Sequence, residues 1–129
     1  MAAGGQRSQL MVRRLDSDWS AQMTVGGSIN NALCITKQAN GQVRILICNN
    51  DETIKIYSLP DLQRITSLSF PTAVNYASVS PDGTKMVVVG DTSQVFLYHI
   101  SSNGTYEKVS SMTGSGVIWL LIFLTQSVF

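Results

Sequence analysis

Residues 44–59, RILICNNDETIKIYSL, and residues 85–100, KMVVVGDTSQVFLYHI, decide the fold of this chain. The second stretch overlies the first at a constant offset of 41 positions without a gap. Arg44 falls on Lys85, Leu46 on Val87, Ile54 on Val95, Ile56 on Leu97 and Tyr57 on Tyr98. Only the tyrosines are identical; the remaining agreement is in chemical class, held in register through a whole hairpin. In the first copy Val43–Cys48 is apolar apart from Arg44, as expected of a strand covered on both faces. Asn49-Asn50-Asp51-Glu52 then supplies residues that tolerate turn geometry. In Thr53–Ser58, Ile54 and Ile56 alternate with Lys55 and Tyr57, the period of a strand. Self-similarity at a fixed period of this length marks a repeat with one supersecondary unit per period.

Working outward, each repeat extends to four strands. Ala32–Gln38 leads into Asn40-Gly41, a dipeptide suited to a two-residue hairpin turn. Pro60-Asp61 interrupts pairing, since proline has no N–H for a ladder, and Leu62–Phe70 completes the set. Pro71-Thr72 opens the second copy: Val74–Val79, the turn Ser80-Pro81-Asp82-Gly83, Lys85–Val89, Gln94–Ile100 and Tyr106–Met112. Short strands punctuated by turns, with no helical spacing of apolar residues, give an all-β antiparallel fold class. The expected division is a flexible segment over 1–27 with a short strand at 19–25, one unit over 28–70, a second over 71–112, and an apolar tail over 113–129. By the repeat offset, 19–25 matches 60–66, so it is an outer strand of another unit. From Val109 the tail has no charged residue, and it lacks the turn chemistry that opens the two repeats. It reads as the end of a truncated or spliced product, or as one strand covering the second unit.

A two-residue turn at Asn40-Gly41 sets Cys34 opposite Ile47 and Cys48 opposite Leu33, with the thiols on opposite faces. One further loop residue would bring them to the same face. Free buried thiols in a reducing compartment, cytoplasmic or nuclear, are the expectation. No stretch in the first 27 residues has the apolar run of a secretory signal.

The charges exclude more than they suggest. Only 13% of residues are charged and the net charge is +1. The nine basic residues are scattered, so no patch for nucleic acid is expected. Gly116–Leu124 is too short to cross a membrane as a helix, so no membrane partner is expected either. Two cysteines and one histidine make no zinc site, no serine or cysteine carries a nucleophile signature, and no glycine-rich loop is followed by the lysine of a phosphate cradle. No cofactor, metal or catalytic residue is expected.

The order strand, SPDG-type turn, strand, Asp-containing turn and strand ending in an aromatic resembles the WD40 β-propeller family over residues 28–112. Within it, NNDETIKIYSLPDL and SFPTAVNYASVSPDGTKMVVVGD look most like a group of fungal and plant WD-repeat-like proteins. Asp51 stands six residues before Tyr57, which occupies the signature tryptophan position. The Trp-Asp pair is replaced by Tyr57-Ser58 and Tyr98-His99, and no Gly-His precedes either unit, so the family's hydrogen-bond network is incomplete. The resemblance implies four-stranded propeller blades, about two of them, in an incomplete ring; further blades or self-association would cover their open faces. It also implies a non-enzymatic protein-interaction scaffold, with Asn49, Asn50, Asp51, Glu52, Asp91 and Thr92 on one face as partner-binding residues. The alternatives are a product without independent function and an enzyme using the turn carboxylates.

Overall fold

The computed structural model describes residues 2–4, 9–25 and 28–113, and among them every regular element is a β-strand. Strands β1 (Ala2–Gly4), β2 (Gln9–Arg13) and β3 (Ser20–Thr24) form a first sheet in that order. A second sheet runs β4 (Asn30–Lys37), β5 (Val43–Asn49), β6 (Thr53–Leu59) and β7 (Arg64–Ser69). The third runs β8 (Val74–Val79), β9 (Lys85–Gly90), β10 (Gln94–Ile100) and β11 (Tyr106–Thr113). All pairings are antiparallel between sequence neighbours. β3 falls within the strand expected at 19–25, whereas β1 and β2 correct the expectation of flexibility for their residues: β2 needs only Leu10 and Val12 to point inward, too short a period to stand out in sequence. Apart from Thr113, the last residue of β11, the apolar tail lies outside the described residues.

The first hairpin also differs from expectation. Lys37 pairs with Val43, the Gln38 N–H donates to the Gln42 carbonyl at 2.7 Å, and the Gly41 N–H donates to the Gln38 carbonyl at 2.9 Å. The loop has three residues, Ala39-Asn40-Gly41, and Gly41 takes φ +89°, a left-handed conformation that glycine adopts without steric cost. Cys34 consequently opposes Leu46, and Cys48 opposes Ala32. Both thiols lie on one face of the sheet, and both are free. The 41-residue offset holds for the central hairpins but not for the first strands. Cys48 and Val89 are 41 apart, while their partners Ala32 and Tyr76 are 44 apart. The connections are equally long, residues 38–42 and 80–84, so the difference of three lies in the longer paired arms of the β4–β5 hairpin. Each first strand is bulged at an asparagine, Asn31 in β4 and Asn75 in β8.

The sheets stack face to face. One core, between the second and third sheets, joins Leu46, Cys48, Ile54 and Ile56 to Met86, Val88, Phe96, Tyr98 and Ile100. The other, between the first and second, joins Leu10, Val12 and Val25 to Ile45, Ile47 and Tyr57. The alternation of side chains along each strand makes the second sheet apolar on both faces. The rings of Phe70 and Phe96 meet edge-on at 5.5 Å, and Tyr98 stands 5.8 Å from Phe70. Among the described residues, twelve buried residues form the second–third core and six the first–second core, each large side chain contributing ~1.5–3 kcal/mol by its withdrawal from water. The outward side chains of β2 and β3 are exposed and, apart from Met11, polar: Gln9, Arg13, Ser20, Gln22 and Thr24.

Candidate interaction rim

The β5–β6 and β9–β10 turns lie at the same end of their sheets, next to the bulges that open β4 and β8. The asparagines hold this end together. Asn31 Nδ2 donates to the Val74 carbonyl at 2.9 Å, bridging the second sheet to the third, and approaches Asn50 Oδ1 at 3.4 Å. Asn75 Nδ2 donates to Asp91 Oδ1 at 2.7 Å, and Asp91 N–H donates to the Ala73 carbonyl at 3.2 Å. Asn50 and Asp91 are 41 residues apart, so both repeats tie a bulged asparagine to the same turn position. A bulge re-aims a side chain out of the strand alternation, which lets each asparagine reach its turn.

The six residues expected at a partner-binding surface divide by burial. Asn50, Asp51, Glu52, Asp91 and Thr92 are exposed. Asn49 is fully buried, which corrects the expectation for that residue. Its amide donates to the Ser28 carbonyl at 3.0 Å and to Asn30 Oδ1 at 2.8 Å, and its Oδ1 accepts the Asp51 N–H at 2.9 Å. Asn49 builds the turn; it does not face outward. Asp51 is committed within the turn as well, accepting from Lys55 Nζ at 2.6 Å and from the Thr53 hydroxyl. Burial raises the pKa of its carboxyl, but the bonds from Lys55 and Thr53 outweigh this and hold it below the ordinary aspartate value. Glu52 sits at φ +71°, so its side chain is presented from a left-handed position.

The opposite end carries a contact that sequence reading passed over. Arg44, on β5, is 5% exposed and crosses to the β10–β11 turn of the third sheet. Its Nη1 donates to the Gly104 carbonyl at 2.9 Å and the Tyr106 hydroxyl at 3.2 Å, and its Nε donates to Gln42 Oε1 at 3.0 Å. The guanidinium also lies 5.6 Å from the Tyr106 ring centroid, within cation–π range. Burial pushes the Tyr106 hydroxyl pKa up, and the Arg44 bond opposes that rise. A Cβ on Gly104, at φ +85°, would overlap Arg44 Nη2. A lone arginine in an apolar run announces nothing of this. The bulged asparagines were equally hidden, because the 41-residue alignment sets Asn31 on Thr72 rather than on Asn75.

Tyr57 and Tyr98 are packing residues in successive cores. His99 is exposed on β10. Among the described residues no group of three or more His, Cys, Asp or Glu could hold a metal ion.

No family model matches the chain. It is similar to the uncharacterized protein C4G3.03 of Schizosaccharomyces pombe, 37% identical over 112 residues, which is 82% of this chain and 30% of that protein. It is also similar to the uncharacterized protein YLR149C of Saccharomyces cerevisiae, 32% identical over 89 residues, covering 65% of this chain and 12% of that protein. The chain thus spans less than a third of the length of the relatives it matches.

Proposed function

We propose that the chain supplies stacked blades of a WD40-like propeller arc and acts as a non-enzymatic scaffold that binds another protein through the rim formed by Asn50, Glu52, Asp91 and Thr92. The observation carrying this reading is the paired bulge device. Asn31 and Asn75 fix two exposed turns side by side, so the four side chains are presented from a rigid support, as loops on a scaffold need to be. The propeller part is supported by the four-strand meanders and by their splay. First strands β4 and β8 lie against one another, and no comparable approach joins β7 to β11. The polar outward side chains of β2 and β3 favour an arc over a ring closed through that face. Two free thiols, Cys48 buried and Cys34 half-buried, go with an intracellular setting, cytoplasmic or nuclear.

The test is affinity capture from cell extract with the wild-type chain and with Glu52→Asn/Asp91→Ser, where asparagine tolerates the left-handed backbone. A protein retained by the wild type and lost by the double variant, at equal folded content, is expected. Retention of every captured protein by the variant would refute the rim. Turnover that disappears on Asp51→Asn in a folded chain would instead favour an enzyme using the turn carboxylates.

A further inference from the structure

Three hairpin loops at the end of the sheets opposite the rim share one geometry: Ala39-Asn40-Gly41, Pro81-Asp82-Gly83 and Ser102-Asn103-Gly104. In each the glycine is left-handed, at φ +89°, +73° and +85°. Its N–H donates at 2.9 Å to the carbonyl three residues back, on Gln38, Ser80 and Ser101 respectively. The side-chain Oδ1 before each glycine accepts the N–H two residues on. Asn40 accepts from Gln42 at 2.9 Å, Asp82 from Thr84 at 3.0 Å and Asn103 from Thr105 at 3.3 Å. One turn thus carries an acid, and two carry the amide in its place.

An amide followed by glycine is open to attack by the next main-chain nitrogen, because no Cβ obstructs the approach. The turn must first open, so the rate follows the population of the open turn. What holds the two amide turns shut differs. Residues 39–42 are all exposed, and the close approach of Gly83 is to the backbone of Lys37, Gln38 and Ala39, before the reacting peptide. Gly104 is half-buried under Arg44, whose Nη1 donates to its carbonyl at 2.9 Å. The Ser101 hydroxyl also donates to Asn103 Oδ1 and accepts the Thr105 N–H at 3.1 Å.

We propose that Asn40 is a site of spontaneous deamidation in the folded chain, and that Arg44 protects its counterpart Asn103. The Gly41 nitrogen loses its proton and attacks Asn40 Cγ. The new N–Cγ bond displaces Nδ2, which leaves as ammonia with that proton, and a succinimide remains. Water, the one co-reactant, opens the ring. Addition at Cγ breaks the new bond and gives aspartate in the ordinary linkage. Addition at the main-chain carbonyl carbon breaks the original peptide bond and gives isoaspartate. The ordinary product fits the turn, as Asp82 does in the same geometry. Isoaspartate lengthens the loop by a methylene and turns the Oδ1 that accepts the Gln42 N–H into a main-chain carbonyl oxygen. Gln42 in turn accepts from Arg44 Nε at 3.0 Å, so the change reaches the contact between the second and third sheets. The site lies away from the rim and does not depend on it.

The test ages the full chain at mildly alkaline pH, folded and in urea, and follows both turns by peptide mapping that resolves aspartyl from isoaspartyl forms. In the folded chain Asn40 should convert about tenfold or more faster than Asn103, while in urea the two should convert alike. Arg44→Met should close most of that gap by speeding Asn103. The wild-type comparison of folded with unfolded chain decides the matter if that variant does not fold. Equal rates at the two sites in the folded chain, or an intact Asn40 after the unfolded chain has converted, overturns the proposal. A folded Arg44→Met chain in which Asn103 is no faster overturns the protective role of Arg44.

Discussion

Replacing Arg44 by methionine keeps most of the apolar stem and removes the guanidinium, so the change isolates the polar contact between the second and third sheets. The loss leaves the Gly104 carbonyl without its 2.9 Å donor and the Tyr106 hydroxyl without its 3.2 Å donor, in a region largely withdrawn from water. A hydrogen bond from a charged group contributes ~1.5–3 kcal/mol, and each acceptor left unpaired adds to the penalty. Partial rehydration of the half-buried turn offsets some of this. The expected destabilisation is about 3 kcal/mol, a large share of the ~5–15 kcal/mol typical of a domain. At this chain length it corresponds to a fall in Tm of roughly 10 °C. Urea unfolding of the wild type, Arg44→Met, Tyr106→Phe and the double variant measures it, and the cycle should give a coupling of about 1 kcal/mol. Arg44→Lys should recover less than half, because an ammonium cannot reproduce a planar fork of donors. A loss below about 0.5 kcal/mol for Arg44→Met, the range of ordinary surface changes, would refute the reasoning, as would zero coupling to Tyr106.

Three further outcomes follow from particular contacts. Gly90→Ala should destabilise by more than ~2 kcal/mol in urea unfolding, since an added Cβ would overlap the Ala73 carbonyl oxygen and force the bulge at Asn75 to shift. Burial raises the Cys34 thiol pKa and pushes that of Cys48 up to about 12, so thiol titration of the native chain at pH 8 should find both inert until urea unfolds it. Because the folded values lie above the unfolded ones, stability should also fall as pH rises from about 9, where only the unfolded thiols ionise. Hydrogen bonds from the Ser80 and Thr84 hydroxyls and the Thr84 N–H lower Asp82 to about 2 from 3.8, so its contribution is present above pH 4 and lost between pH 4 and 2. Asp82→Asn should flatten that part of the pH–stability curve.

The central hairpins were legible because apolar alternation and turn chemistry agree there at every position. Val74–Val79 and Gln94–Ile100 fall where periodicity sets them, and the Ser80–Gly83 turn closes with Gly83 at φ +73°. What sequence reading lost was register and face. A three-residue loop at Ala39–Gly41 and a two-residue loop at Asn40-Gly41 look alike on paper, yet they place Cys34 on opposite sides of the sheet. The rim was half legible. Turn composition located Asn50, Glu52, Asp91 and Thr92, but it could not separate them from Asn49, whose burial depends on Ser28 and Asn30. Asn31, Asn75 and Arg44 act across distances set by the stacking of sheets, a relation no local pattern encodes.

The stacking itself is tested most directly by proton–proton nuclear Overhauser effects among aromatic rings in the isotopically labelled full chain. Phe70 should give cross-peaks to both Phe96 and Tyr98, whose centroids lie 5.5 and 5.8 Å away, and Tyr57 should give none to this group. Absence of the Phe70–Phe96 cross-peak, or its replacement by one between Phe96 and Tyr57, would contradict the arrangement of the second and third sheets.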